Sequence, residues 1–293
     1  MRIQCDWCER CSRSWRTPLA VLAQLSIWAF VALNYTQHVL YRAVPWPAPV
    51  RVAGHAILGL QLVSWLQLMA RPPLPVNDAF VAAAAAGTVP SQADKRTGVT
   101  QPLRSHTIGG AIVPGFDHFC GWLGVSVGLH NRKFFVLFLW YSALLCLFAG
   151  ALSARTVYDV HGLPSHRSSS GAAAAASWSD WLHPWLIFNS PLYMLLARCL
   201  LGAETDGDYH LQTFLMISDA TLGACLTAFA VQHTRYVLKN RTTLEPYTDH
   251  WDVGWRENAS QVLGKNPRRW LLPIGGPGCD GMQWPENLGC SAL

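Results

Sequence analysis

Five apolar stretches divide the chain, and polar segments rich in basic residues separate them. The stretches are 18–40, 52–70, 134–152, 181–201 and 211–231. An α-helix needs about 20 predominantly apolar residues to cross a bilayer. Four of the stretches fit this requirement as spans. The stretch 181–201 differs, because it is interrupted by two prolines and a charge, Pro184, Pro191 and Arg198.

Clusters of Lys and Arg predict the orientation of the spans. They lie before the first stretch, between the second and third stretches, and in the C-terminal tail. Because cytosolic segments near spans carry an excess of Lys and Arg, we expect all three regions in the cytosol. Two crossings must then lie on each side of the central region, which leaves 181–201 as an interfacial or re-entrant helix on the far side. Five or six spans are the alternative arrangement.

The predicted fold is an all-α integral membrane protein with four transmembrane helices. The predicted segments are a cytosolic N-terminus at 1–17, the first two spans at 18–71, a cytosolic loop at 72–132, the third span at 133–153, a lumenal loop at 154–208, the fourth span at 209–235 and a cytosolic tail at 236–293. One charge, Asp219, falls within the last span. An intramembrane carboxylate is usually functional or paired with another polar group.

The composition supports a membrane protein and excludes several other classes. Charged residues make up 13% of the 293 residues, and hydrophobic residues make up 51%. A typical soluble domain has roughly 25% charged residues. This balance argues against a disordered chain or a small disulfide scaffold. The net charge of +5 is small, and its basic residues are clustered near the spans, so we expect no nucleic-acid partner.

The central region contains a single cysteine in a chemically suggestive setting. Cys120 ends the tetrapeptide Asp117-His118-Phe119-Cys120. A histidine can take the proton of a nearby thiol, and a carboxylate can orient the imidazole. The tetrapeptide therefore predicts an activated thiol nucleophile, although by itself it also fits an ordinary loop cysteine near a membrane face.

Three motifs together resemble the DHHC family of protein S-acyltransferases. The first is the tetrapeptide, which keeps three residues of Asp-His-His-Cys and is followed by Val127-Gly128-Leu129-His130-Asn131-Arg132-Lys133-Phe134-Phe135 at the start of the third span. The second is Thr242-Thr243-Leu244-Glu245, which matches the family's Thr-Thr-x-Glu and has His233 and Asn240 upstream. The third is a tail segment that contains Asn258, Asn266-Pro267 and Trp284-Pro285.

The resemblance implies an acyl-enzyme mechanism with assigned residues. Cys120 would be the nucleophile, His118 the base and then the acid, and Asp117 the group that orients His118. The remaining residues to which the resemblance assigns a supporting role are Thr243, Thr242, Glu245, Asn131 and Asn258. We expect the Thr243 hydroxyl to donate a hydrogen bond to the Asp117 carboxylate.

The resemblance also implies the partners and the location. The acyl donor would be a long-chain acyl-CoA, with palmitoyl-CoA as the expected donor, and the acceptors would be cysteine-bearing proteins at the cytosolic face of the membrane. Because cations bind phosphate groups, Arg132 and Lys133 are expected to contact the CoA phosphates. Membrane lipid is a further expected partner. The expected compartments are the endomembranes (Golgi or endoplasmic reticulum) or the plasma membrane.

The chain departs from the family in its metal ligands. Family members carry two zinc ions just before the tetrapeptide, and each structural zinc needs four Cys or His ligands. Residues 72–116 contain no cysteine, and Phe119 replaces a histidine ligand. We therefore expect no zinc and no other cofactor. The loop would instead be held by packing of Phe116, Phe119, Trp122 and the alanine tract 82–86.

Two other function classes remain open from the sequence. The missing zinc ligands also fit a catalytically silent membrane scaffold derived from the same family. An unrelated small membrane transporter or adaptor is the third possibility, against which the three motifs argue. Autoacylation by an acyl-CoA separates the first two classes.

Overall fold

The structure is a computed structural model that describes residues 18–41, 46–71, 78–93, 98, 100–108, 111–158, 206–281 and 284–286. The long helices are α1 (Pro18–Tyr35), α2 (Ala48–Ala70), α4 (Leu129–Thr156) and α5 (Asp206–Leu238). A π-helical turn, Thr36–Tyr41, follows α1, and the shorter helices are α3 (Asp78–Ala85) and α6 (Trp255–Leu263). The predicted helix at 181–201 lies outside the described residues.

Three helices are long and apolar enough to cross a membrane. They are Ala48–Ala70, Leu129–Thr156 and Leu211–Leu238. The first residue of each helix lies at most five positions from the first residue of a predicted apolar stretch. The first predicted span covers α1 and the π-helical turn after it, but α1 is not one of these three helices, so this fourth crossing stays a prediction. The protein is thus mostly helical, with three candidate membrane-spanning helices in the described part.

The central region contains strands, so the prediction of an all-α protein is wrong in this respect. Three antiparallel hairpins occur there: β1 (Ser91–Ala93) with β2 (Thr100–Pro102), β3 (Ser105–Ile108) with β4 (Ala111–Pro114), and β5 (His118–Cys120) with β6 (Val125–Val127). The strands are only three or four residues long, and the third hairpin contains the predicted nucleophile. Strands of three or four residues are too short to show the alternation of apolar and polar residues by which a sequence predicts strands.

The described residues form two compact units. The first comprises described residues within 1–29, 58–141 and 227–293, and the second comprises those within 30–57 and 142–226. In the first unit, a core cluster joins the start of α4, the end of α5, α6 and the tail. Its buried members are Leu129, Val136, Val237, Trp251, Ala259, Val262 and Trp284.

Polar pairs connect the helices of the second unit. The Asn34 amide donates to Asp219 at 3.4 Å, the Gln212 amide donates to Gln37 at 3.4 Å, and His38 and Ser153 are hydrogen-bonded at 3.2 Å. Asp219 is therefore paired, as a carboxylate within a span requires. Interhelical hydrogen bonds of this kind contribute on average about 0.6 kcal/mol each in a membrane protein.

One buried cation, Arg104, joins the central region to the tail in the first unit. Its guanidinium donates to the side chain and the carbonyl of Asn240 at 2.9 and 2.7 Å, and to Glu245 at 2.9 Å. It also lies over the rings of Trp251 and Trp284, at 5.3 and 4.6 Å from their centroids. Burial lowers the Arg104 pKa to about 10 although Glu245 raises it, so the side chain stays charged at neutral pH.

Arg104→Lys is expected to destabilise the first unit by about 2–3 kcal/mol. Lysine keeps the charge but loses the planar fork, and a hydrogen bond between charged groups contributes about 1.5–3 kcal/mol. The free energy of unfolding in detergent measures the effect. The control is Arg256→Lys, because the Arg256 guanidinium lies over the exposed Trp255 ring at 5.1 Å. Equal losses in the two variants would contradict the assigned role of Arg104.

Candidate active site

The third hairpin sets the position of the predicted nucleophile. Cys120 pairs with Val125, and His118 pairs with Val127. The chain then turns within four residues, where the amides of Leu123 and Gly124 donate to the Cys120 carbonyl. Gly124 adopts φ 64°, a conformation that glycine takes without strain. Cys120 therefore lies at the end of a strand, next to a tight turn, and is partly exposed.

Asp117 is a completely buried carboxylate with several polar partners. His118 Nδ1 lies 2.8 Å from Oδ2, Arg132 Nη2 lies 3.4 Å from Oδ1, and the Thr243 amide donates to Oδ1 at 3.0 Å. Burial raises the Asp117 pKa, but the Arg132 charge and the His118 hydrogen bond outweigh it and hold the pKa well below its usual range. The group is therefore ionised at physiological pH.

His118 connects Asp117 to Cys120. Burial lowers the His118 pKa, but hydrogen bonds with Asp117 and with Cys120 outweigh it and raise the pKa to about 9. Since Nδ1 faces Asp117, Nε2 is the nitrogen left to serve the thiol. An imidazolium beside a cysteine favours the thiolate, which is the nucleophilic form. The structure brings the three predicted catalytic residues together in an order that can activate Cys120.

The tail contacts Asp117, but through atoms other than those predicted. The Thr243 hydroxyl donates to the main-chain carbonyl of Asp117, not to its carboxylate. The carboxylate is instead bonded by the main-chain amide of Thr243. The hydroxyl prediction is wrong in this detail, because the threonine backbone approaches Asp117 closely and leaves the hydroxyl nearer the carbonyl.

The other supporting residues hold the segments on which the site is built. Asn131 accepts from the Gly128 amide and donates to the Ser126 carbonyl, which fixes the junction of β6 and α4. The Asn258 amide donates to Leu238 and Asp252. The Thr242 hydroxyl accepts from the Glu245 amide at 3.2 Å. Glu245 itself forms the ion pair with Arg104.

Arg132 and Lys133 are buried and have internal partners. Their exposed fractions are 3% and 2%. Arg132 donates to the Arg241 carbonyl at 2.5 Å. Lys133 Nζ donates to the carbonyls of Arg269 and Ile274 at 2.8 Å each. The geometry does not support the predicted contact of these two cations with CoA phosphates, because neither side chain is presented to solvent.

Sequence reasoning left two residues out of the predicted site. His233 lies with Nδ1 3.6 Å from Asp117 Oδ2, and its ring centroid is 5.4 Å from that of His118. Arg104 forms the ion pair with Glu245 at 2.9 Å and belongs to none of the three motifs. A signal existed for His233, because it precedes Thr242-Thr243 at a spacing typical of the family. No such signal marked Arg104 as the partner of Glu245.

The described residues do not offer a structural zinc site. One group of three potential ligands lies within 4.8 Å in the part of the chain that the structure describes, namely Asp117, His118 and His233. A structural zinc needs four ligands, and two of these three are already bonded to each other. Arg104, which directly precedes β3, joins the hairpin β3–β4 to the tail. Phe116 is buried as predicted, whereas Trp122 is 72% exposed and does not pack there.

A family model described as DHHC palmitoyltransferase matches residues 95–250. This range covers more than half of the 293 residues and contains the tetrapeptide, Arg104 and the Thr-Thr-x-Glu motif. The chain belongs to the DHHC palmitoyltransferase family, as the sequence motifs predicted.

Curated relatives agree with this assignment. Palmitoyltransferase PFA3 of Yarrowia lipolytica is 28% identical over 181 residues, which cover 59% of this chain and 43% of that protein. Palmitoyltransferase ZDHHC2 of Homo sapiens is 28% identical over 184 residues, which cover 59% and 39%. Palmitoyltransferase ZDHHC15 of Xenopus laevis is 26% identical over 206 residues, which cover 66% and 50%. The match thus spans half or less of the length of these relatives.

Thr243→Val is expected to slow autoacylation by about two- to tenfold. The variant removes a hydrogen bond to a neutral carbonyl, which contributes about 0.5–1.5 kcal/mol, and keeps the main-chain amide that bonds the Asp117 carboxylate. The burst rate with a labelled acyl-CoA measures the effect. Asp117→Asn is the comparison and should lose far more, because it removes the charge that holds the His118 pKa high. A hundredfold loss in Thr243→Val would contradict this division of roles.

Proposed function

We propose that the protein is a protein-cysteine S-palmitoyltransferase that works through an acyl-enzyme on Cys120. The observation that supports it best is the assembly of Asp117, His118 and Cys120 around one hairpin, with the carboxylate fully buried. This arrangement favours a working enzyme over a silent scaffold, since a buried carboxylate next to a histidine is costly to keep without a use.

Two thioester exchanges complete the reaction. In the first, the Cys120 sulfur attacks the thioester carbonyl of the acyl-CoA, a new carbon–sulfur bond forms, and the bond to the CoA sulfur breaks. The His118 imidazolium can supply the proton that the departing CoA thiolate takes up. In the second, a substrate cysteine gives its proton to His118 and attacks the acyl group on Cys120. The acylated substrate protein then leaves, and Cys120 is again a free thiolate.

The proposed setting is a membrane with the active site at its cytosolic face. Four spans, a cytosolic central loop and a cytosolic tail agree with the distribution of Lys and Arg. The acyl chain would lie among apolar helices while the CoA group stays in water. We propose palmitoyl-CoA as donor and cysteine-bearing proteins as acceptors, in the endomembranes or the plasma membrane.

Purified protein incubated with an alkyne-bearing palmitoyl-CoA should acquire a label that hydroxylamine releases. Hydroxylamine at neutral pH cleaves thioesters, whereas oxygen esters and amides persist. Cys120→Ser should abolish this label. The matched control is Cys279→Ser, because Cys279 is a partly buried cysteine of the tail with no proposed role. Full labelling of Cys120→Ser would refute the proposal that this residue carries the acyl group.

His118→Ala is expected to lose most of its autoacylation near neutral pH. General acid–base help typically contributes about 100- to 10,000-fold. With its pKa at about 9, His118 is protonated below that pH and supports the thiolate, so the wild-type advantage should be greatest in neutral solution. It should shrink as the pH approaches 9, since an unassisted thiol then ionises by itself. A constant ratio of the two rates across this range would argue against the role.

The proposal includes a central region that folds without zinc. Metal analysis of the purified protein should find well under one zinc per chain, because the described residues supply no set of four ligands. Treatment with a strong chelator should leave both the thermal midpoint and the autoacylation rate unchanged. Two tightly held zinc ions would overturn this part of the proposal.

A further inference from the structure

The tail segment Arg268–Ile274 runs along the candidate spanning helix α4. Lys133 Nζ donates to the carbonyls of Arg269 and Ile274, and the Tyr141 hydroxyl donates to the Leu271 carbonyl. Lys133 and Tyr141 are two helical turns apart, which corresponds to about 12 Å along the axis. The tail is therefore bonded at two depths of the same helix.

The apolar side chains of this segment face outward. Leu271 is 73% exposed, Leu272 42% and Ile274 43%. Three exposed aliphatic residues within four positions form an apolar patch that is unfavourable in water. The adjacent Trp270 anchors the segment, since its indole nitrogen donates to the Gly264 carbonyl at 2.7 Å. The backbone is thus held in place while the aliphatic side chains remain uncovered.

Cations border the apolar patch. Lys265, Arg268 and Arg269 are exposed on the tail, and Arg71 is exposed where α2 ends. The Arg71 guanidinium donates to the Gly275 carbonyl at 2.6 Å, which brings the end of a second candidate span to the same segment. Among the ion pairs of the described ranges, none includes these four cations. The Arg71 guanidinium also lies over the Phe134 ring at 5.0 Å, which leaves the exposed cations of the tail to meet a ligand.

We propose that Arg268–Ile274 is a membrane-inserted loop whose bordering cations bind the phosphate groups of anionic phospholipids. The loop is bonded to α4 at Lys133 and Tyr141, both within the candidate span Leu129–Thr156, so its exposed leucines meet acyl chains at that depth. Its arginines lie toward the polar end, at the depth of the headgroups. Basic residues combined with inserted aliphatic and aromatic side chains are typical of interfacial membrane binding.

This inference rests on the membrane orientation of α4 in the proposed function, and not on acyl transfer. Its experiment therefore reads lipid contact directly. A photoreactive benzoylphenylalanine replaces Leu271 in the full-length chain, reconstituted in nanodiscs of phosphatidylcholine and phosphatidylserine. The control replaces Tyr247, which is 90% exposed elsewhere on the tail. Irradiation should yield lipid adducts at 271 and only background at 247. Equal adduct yields, or none at 271, would overturn the insertion.

The role of the cations is tested by Arg269→Gln against Arg256→Gln. Both variants lose one exposed positive charge of the tail. A cation near an anionic membrane surface contributes about 1 kcal/mol, which corresponds to about fivefold in binding. Native mass spectrometry should show about a fivefold loss of retained phosphatidylserine for Arg269→Gln and little change for Arg256→Gln. Unchanged lipid retention with weakened acyl-CoA binding would identify the CoA phosphates as the ligand and overturn the proposal.

Discussion

The burial of the Asp117 carboxylate is the constraint on which the site depends. A charge removed from water is tolerated only when hydrogen bonds and opposite charges replace the solvent. Asp117 obtains them from His118 on its own hairpin, from Arg132 on α4 and from the Thr243 amide of the tail. Each partner comes from a different segment, so the carboxylate cannot be satisfied unless the central region, the candidate spanning helix α4 and the tail have come together.

Arg104 is a second buried charge of the central region, and it too obtains its partners from the tail. It is a buried cation whose fork reaches Asn240 and Glu245, with an indole ring of Trp251 and of Trp284 against its faces. A guanidinium can make these contacts at once because it is planar and has five donors. In the described part of the chain, this contact joins the hairpin β3–β4 to the tail. A network of ordinary side chains thus holds the hairpin that precedes the candidate nucleophile against the tail.

The candidate active site lies next to the ends of the candidate spans. The tetrapeptide precedes α4 by a single hairpin, and Thr-Thr-x-Glu follows α5 directly, so both motifs lie where candidate spans end. The tail then returns to α4, where Lys133 and Tyr141 bond its main chain. The proposed acyl transfer needs a nucleophile near the ends of the candidate spans, and Cys120 lies shortly before α4.

The sequence by itself determined three helices that could span a membrane and the family, because long apolar runs and spaced motifs are local features of the chain. It also singled out Asp117, His118 and Cys120 as candidate catalytic residues. Only the tertiary structure decided which atoms meet. The Thr243 amide, rather than its hydroxyl, reaches the Asp117 carboxylate; Arg132 and Lys133 turn inward; and Arg104 joins Glu245 from 141 positions away. The three hairpins were also missed. Such contacts depend on how separate segments pack and on where buried charges find partners, and the residue order within one segment determines neither.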